Sequence, residues 1–188
     1  MINRIIRAAM LDGEFFKKAE TDTTLTQEAL MVVILVSLIG SIGTFIGGAI
    51  SGDFGAALLG LIAALVAGVV SYYIWAYVTY FVGTKLFNAE VDAGEMLRVL
   101  GYASGPRALS ILTFIPCVGP LVAFAGGVWS LIAAFIGARE ALDLDTTKTI
   151  VTIVIGWIII MIITAVIMAV LGVGAAGLGG LGSLLGGR

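Results

Sequence analysis

The chain has no histidine, a single cysteine and very few charged residues, and each shortage excludes a class of function. Only 12% of its 188 residues are charged, whereas soluble domains carry about 25%. Cys117 cannot form an intrachain disulfide on its own. Because histidine is absent and the long apolar runs contain no cluster of cysteines or carboxylates, we predict no metal site and no cofactor. The net charge of −2 gives no indication of nucleic-acid binding.

The chain is instead rich in long apolar runs, and 60% of its residues are hydrophobic. We predict an all-α polytopic membrane bundle of five transmembrane helices, preceded by an N-terminal amphipathic helix over Met1–Lys18. The predicted spans cover about 29–50, 55–82, 97–115, 120–138 and 149–171, in a single membrane domain of residues 1–172 that is followed by a glycine-rich tail at 173–188. Region 97–138 fits either two full spans or a re-entrant helical hairpin.

The basic residues fall almost entirely on one side of these spans. Eight of the ten Lys and Arg residues lie in the N-terminal segment, Lys85–Arg98 and Arg139–Lys148. The opposite side has only Arg188, and Arg107 lies within a span. Cytoplasmic loops of membrane proteins carry such an excess of bases. We therefore predict a cytoplasmic N-terminus, which has no signal-peptide pattern, and a C-terminus outside the cell.

The acidic residues share the same bias. Eleven of the twelve lie in the predicted cytoplasmic segments, and Asp53 is the exception. Nearly all polar recognition surface is therefore on the cytoplasmic face, where we expect a protein partner to bind. Four acids there are expected to be exposed and to tolerate substitution: Glu90, Asp92, Asp143 and Asp145.

The predicted spans contain almost no side chain that could carry out chemistry. No Asp, Glu, His or Lys lies well inside one, so we find neither a general base nor catalytic residues, and we predict that the protein is not an enzyme. Arg107 is the exception, and it directly follows Pro106, which should kink the third helix. An intramembrane charge indicates a functional site. The alternative is a structural arginine that extends towards the interface.

Small residues in the first span predict close helix packing. Gly40, Gly43 and Gly47 recur at intervals of three and four residues, a spacing that lets two membrane helices approach closely. We predict that they pack inside the bundle. The same motif also forms faces between chains, so a homo- or hetero-oligomer is the alternative.

One segment resembles a known family. The run Gly101-Tyr102-Ala103-Ser104-Gly105-Pro106-Arg107 is similar to the signature that opens the third span of the Yip domain family, the Ypt/Rab-interacting multispan membrane proteins. Further similarity lies in Thr84-Lys85-Leu86-Phe87, in Val128-Trp129-Ser130-Leu131 and in Arg139-Glu140-Ala141-Leu142. The resemblance covers about residues 1–172 and is to a short prokaryotic member.

The resemblance implies a five-span helical fold and suggests a function. Eukaryotic relatives occupy Golgi and ER membranes and bind prenylated Rab GTPases and each other. Prokaryotes lack Rab-dependent vesicle traffic. We therefore expect this chain to share the fold of the family but not its Rab-binding role. We predict a non-enzymatic scaffold or adaptor that helps to organise the cytoplasmic membrane of a prokaryote. The alternative is a small transporter, channel or lipid-binding protein. Its ligand contacts would be the signature residues Gly101, Tyr102, Pro106 and Arg107.

Overall fold

The computed structural model describes residues 1–50, 52 and 54–170, and the predicted tail at 173–188 lies outside them. All regular structure in this part of the chain is helical. The elements are α1 (Ile2–Ala9), α2 (Gly13–Thr21), α3 (Leu25–Ile50), α4 (Phe54–Phe87), α5 (Ala93–Ala103), a 3₁₀ helix (Gly105–Phe114), α6 (Val118–Leu142) and α7 (Thr146–Val170).

Four helices of the described residues are long and apolar enough to cross a membrane. Their candidate spanning stretches are Leu25–Ile50, Ala57–Phe87, Val118–Leu142 and Thr146–Ile163, which match four of the five predicted spans. Large apolar side chains on all four are exposed, as expected of helices that face lipid. The 34 residues of α4 extend about 51 Å at 1.5 Å per residue. That length exceeds the hydrocarbon core of about 30 Å, so α4 must tilt or protrude.

The third predicted span, 97–115, is not a continuous α-helix. It divides into α5, which ends at Ala103, and the 3₁₀ helix, which begins at Gly105. Proline has no N–H, and its ring clashes with the carbonyl four residues earlier, so Pro106 cannot continue α5. Neither part is among the four long apolar helices of the described residues, and the predicted count of five spans is therefore not confirmed.

The N-terminal segment forms two helices, whereas a single one was predicted over Met1–Lys18. The chain turns at Leu11, whose φ is 62°. Asp12 then caps α2, because its carboxylate accepts a hydrogen bond from the Phe15 N–H at 3.1 Å. An N-cap acid satisfies an otherwise free N–H and ends the continuity with α1.

The two short helices bury different amounts of apolar surface. Ala8 of α1 is buried, but Ile2, Ile6 and Met10 form an exposed apolar stripe. A stripe of this kind suits a helix that lies in the membrane interface. Phe16 of α2 is fully buried, so α2 belongs to the protein core.

The best-packed core lies at one end of the bundle. We call this the polar end, defined as residues 1–28, 85–98 and 139–148, which contain nearly all the charges of the described chain. There α1 and α2 pack on α5 and α6. Four of the largest fully buried side chains lie there or directly beside it: Phe16, Met96, Tyr102 and Leu142.

Two polar-end acids do not fit the expectation that they tolerate substitution, because both are helix caps. Asp92 forms a capping box with Glu95 at the start of α5. Asp145 accepts a hydrogen bond from the Lys148 N–H at 3.0 Å at the start of α7. Loss of an N-cap costs about 0.5–2 kcal/mol, even where the side chain is exposed.

Candidate functional site

The family signature lies at the break between α5 and the 3₁₀ helix. Ser104 terminates α5, since its hydroxyl donates to the Gly101 carbonyl at 2.6 Å. Pro106 is buried in the first turn of the 3₁₀ helix, and Arg107 follows it with an exposed side chain. The break therefore places a cation directly after a buried proline.

Gly101 and Tyr102 fix α5 to the beginning of α3. A Cβ on Gly101 would lie 2.9 Å from the Ala29 Cβ and 3.0 Å from its carbonyl oxygen, so the two backbones approach too closely for a side chain. Tyr102 is fully buried, and its hydroxyl donates to Glu28 Oε1 at 2.8 Å. Arg4 binds the other oxygen of this carboxylate at 2.5 Å. These two signature residues therefore pack inside the protein.

An open cavity of about 370 Å³ lies beside the break, bounded by α3, α4, α5, the 3₁₀ helix and α6. Its lining is mainly apolar, with several hydroxyl groups among the small side chains. The polar lining residues are Ser37, Ser41, Ser71, Tyr72, Trp75, Ser104, Arg107, Ser110, Thr113 and Ser130. Arg107 is the one charged residue of that lining. The signature thus contributes a cation to a mostly apolar site.

The glycine motif of α3 packs against the 3₁₀ helix through two of its three members. A Cβ on Gly43 would lie 2.6 Å from the Ile111 carbonyl oxygen, and one on Gly40 would lie 2.5 Å from Ser110 Oγ. A Cβ on Gly47 would meet no atom within 4 Å. The close approach of α3 therefore depends on Gly40 and Gly43.

Arg98 is a structural residue, although its place in the sequence predicts only a basic residue of a loop. It is 4% exposed. Its guanidinium donates to the Ala19 carbonyl at 3.0 Å, to the Glu20 carbonyl, and to the Thr26 hydroxyl at 3.3 Å. These carbonyls belong to the last turn of α2, where a cation is favoured by the helix dipole. Its position in an apolar run, Met96–Ala103, was the available signal.

An acidic cluster surrounds Glu20 at the polar end. Burial raises the pKa of the Glu20 carboxyl to about 7. The neighbouring carboxylates of Asp143, Glu95 and Glu140 raise this pKa further. The ammonium group of Lys17 lowers it. The Oε2 atom of Glu20 is buried without a hydrogen-bond partner among the described residues. The ionised form is therefore disfavoured in the folded protein.

We expect Glu20→Gln to stabilise the protein at pH 8 but not at pH 4.5. The folded carboxyl holds its proton more tightly than the unfolded one, whose pKa is near 4.5. Its favourable contribution is complete below pH 4.5 and is lost as the pH rises through about 7. Thermal unfolding in detergent should show a gap between variant and wild type that opens above pH 4.5 and is complete above pH 7. Glu90→Gln, an exposed change of equal charge, is the control. A gap that does not vary with pH would refute the assignment.

The described residues offer little else for catalysis. They contain no group of three or more His, Cys, Asp or Glu side chains placed to hold a metal ion. No carboxylate lines the cavity next to Arg107, so this site lacks an acid–base pair. The cavity, in which Arg107 supplies a positive charge, is suited to binding an anionic group.

The chain also matches the profile of a known family. The profile of the Yip1 domain matches residues 10–168, which extend from before α2 into α7. The chain matches no curated protein and no solved structure. The match includes the signature Gly101–Arg107 and the four long apolar helices, and it confirms the family resemblance that was noted in the sequence. The chain is therefore an integral membrane protein that belongs to the Yip1 domain family.

Proposed function

We propose that the protein is a non-enzymatic scaffold or adaptor of the Yip type, whose polar end binds a protein partner in the cytoplasm of a prokaryote. Family membership supports a membrane role of this general type. The proposed orientation follows from the bases, eight of which belong to polar-end segments. The extracellular C-terminus and the prokaryotic membrane are parts of the same proposal.

The observation that carries this proposal is that the polar end is a folded surface. Arg98 holds the last turn of α2 through the Ala19 and Glu20 carbonyls. The indole N–H of Trp129 donates to the Ala9 carbonyl at 2.7 Å, which attaches α1 to α6. A prebuilt surface loses little conformational entropy on binding, which favours recognition by a partner.

The charges of this surface favour a protein partner over lipid. Both bases and acids are exposed on it, including Lys17, Lys85, Glu90 and Asp143. A surface that binds anionic headgroups would be mainly basic. Mixed charge instead provides the complementarity that steers protein association and sets its specificity.

A triple variant tests this surface without removing a cap. We combine Lys85→Glu, Glu90→Lys and Asp143→Asn. Asn is used because residue 143 is left-handed, with φ 48°, a conformation that Asn tolerates. We expect the bundle to keep its stability to within about 0.5 kcal/mol per site. Partner recovery after cross-linking in native membranes should fall severalfold, because rim charges change association rates.

Leu121→Ala provides the matched control, since Leu121 is a 70% exposed side chain at the start of α6, away from the polar end. It should leave recovery unchanged. If the triple variant recovers the same partner as efficiently as wild type, the polar end is not the interface. The contacts would then have to lie within the membrane.

The cavity favours a second candidate function, the binding of a lipid or another small ligand. Transport and channel activity are alternatives of the same class. An ion-coupled transporter normally uses intramembrane carboxylates, and none lines this cavity. A mainly apolar pocket with few polar groups is typical of ligand binding, so we favour binding over transport.

A further inference from the structure

We infer that the cavity beside the broken helix binds a phosphate group, carried by a lipid or by a free phosphate compound, against the Arg107 guanidinium. The inference rests on the second candidate function and gives it a ligand class. It does not depend on the adaptor role of the polar end.

The Arg107 side chain carries an uncompensated charge. No hydrogen bond or ion pair joins the Arg107 side chain to any other described residue, and its backbone N–H donates to the Ser104 carbonyl at 3.0 Å. An unpaired cation within a membrane bundle is costly, and such residues pair with an opposite charge or mark a ligand pathway. Since no acid lines the cavity, the ligand must supply the anion.

The register of the 3₁₀ helix places several polar side chains on one face. Side chains three residues apart eclipse in this helix type, with a rise of about 2.0 Å per residue. Ser104 at its N-cap, Arg107, Ser110 and Thr113 follow this interval, and all four line the cavity. They therefore form one polar stripe with neighbours about 6 Å apart along the axis. An α-helix would rotate the same residues away from one another. The break at Pro106 thus creates the stripe.

A further donor lies in the same lining. The indole nitrogen of Trp75 is buried and has no hydrogen-bond partner within the described residues. An indole N–H can only donate, so it requires an acceptor. The guanidinium and this N–H share one chemical requirement, an acceptor-rich anion. Phosphate oxygens meet it, and arginine binds them through two parallel hydrogen bonds.

The rest of the cavity fits hydrocarbon. Its remaining walls are apolar or small, and include Val33, Val36, Ala64 and Leu100. The volume of about 370 Å³ is in the lower part of the roughly 300–1,000 Å³ range of small-molecule sites. It holds a headgroup and a short length of chain. The remainder of a lipid would extend through the open side of the cavity.

Thermal unfolding of the full chain in a neutral detergent tests the inference. Phosphatidic acid is compared with diacylglycerol, which has the same chains without phosphate, and with inorganic phosphate. Phosphatidic acid at a hundredfold excess over Kd should raise Tm by on the order of 5 °C, whereas diacylglycerol should not. An equal effect of inorganic phosphate would identify a free phosphate compound as the source. No stabilisation by either phosphate would overturn the inference.

A first set of three arginine variants and a second pair of alanine variants locate the binding. Arg107→Gln should weaken phosphate binding on the order of tenfold or more, because charge-assisted hydrogen bonds are lost. Arg107→Lys should retain part of it, and Arg139→Gln, at an exposed polar-end arginine, should retain all of it. Ala64→Phe should block the cavity, whereas Ala63→Phe, on an exposed neighbour outside its lining, should not.

The second pair keeps the test decisive if Arg107→Gln fails to fold. Equal stabilisation of wild type and Ala64→Phe would show that phosphate binds elsewhere, and the inference would be wrong. Partner recovery through the polar end should be unaffected by Ala64→Phe. The phosphate inference and the adaptor role of the polar end can therefore be refuted independently of each other.

Discussion

Arg98→Met should lower the stability of the protein by about 3 kcal/mol, the largest effect that we expect from a side chain outside the cavity. The change removes the donor to the carbonyls of Ala19 and Glu20 at the end of α2 and to the Thr26 hydroxyl. Unsatisfied buried acceptors cost about 1–3 kcal/mol each. Methionine keeps most of the volume, so the loss reports on the hydrogen bonds.

Thermal unfolding in detergent measures this loss, with Arg139→Met as the matched control. Arg139 is exposed and pairs with the adjacent Glu140 at 2.8 Å, and such surface pairs contribute about 0–1 kcal/mol. Arg98→Lys should fall between the two variants, because a single ammonium group cannot reach all three acceptors. If Arg98→Met unfolds at the same temperature as Arg139→Met, Arg98 does not hold α2 in place.

The second large effect should come from the glycine motif of α3. Gly43→Ala should destabilise the bundle by about 1–3 kcal/mol through overpacking. Its Cβ would lie 2.6 Å and 2.9 Å from the carbonyl oxygens of Ile111 and Ser110. These are backbone atoms, so the 3₁₀ helix must move. Gly40→Ala should cost less, because it meets the Ser110 side chain.

Gly47→Ala is the control within the same motif. Its Cβ would enter open space, and replacing a helical glycine by alanine usually gains about 0.5–1 kcal/mol. Unfolding temperatures should therefore fall for Gly43→Ala and stay level or rise for Gly47→Ala. Equal losses would contradict this packing. If Gly47→Leu abolished cross-linked dimers of a stable protein, the oligomer alternative would be correct.

The long apolar helices could be predicted because hydropathy over about 20 residues is a local property. The third span could not, since hydropathy does not distinguish an α-helix from a 3₁₀ helix. Pro106 predicted a kink in one helix, whereas α5 ends and a different helix type begins. That change of period from 3.6 to 3.0 residues determines which side chains share a face with Arg107.

At the polar end, too, the local features could be predicted from the sequence and the long-range contacts could not. Asp92 with Glu95 has the spacing of a capping box and could have been read from the sequence. The burial of Arg98 depends on α2, whose carbonyls are 78 and 79 residues away in the chain. No local pattern records that contact. The distribution of charges along the sequence therefore predicts a membrane orientation but not the structural role of Arg98.

The central claim, that the polar end is cytoplasmic, can be tested by labelling one engineered thiol in intact cells. Cys117 is the sole cysteine, so Cys117→Ser gives a background free of thiols. Glu90→Cys in that background places a thiol at an exposed position of the polar end. In wild type, labelling of the exposed Cys117 from outside would in addition identify 97–138 as two full crossings.

The account predicts that an impermeant maleimide labels the Glu90→Cys variant only after the cells are lysed. This result does not depend on whether residues 97–138 cross the membrane twice or form a re-entrant hairpin. Labelling of the same thiol in intact cells would place the polar end outside. The proposed cytoplasmic adaptor role would then be wrong.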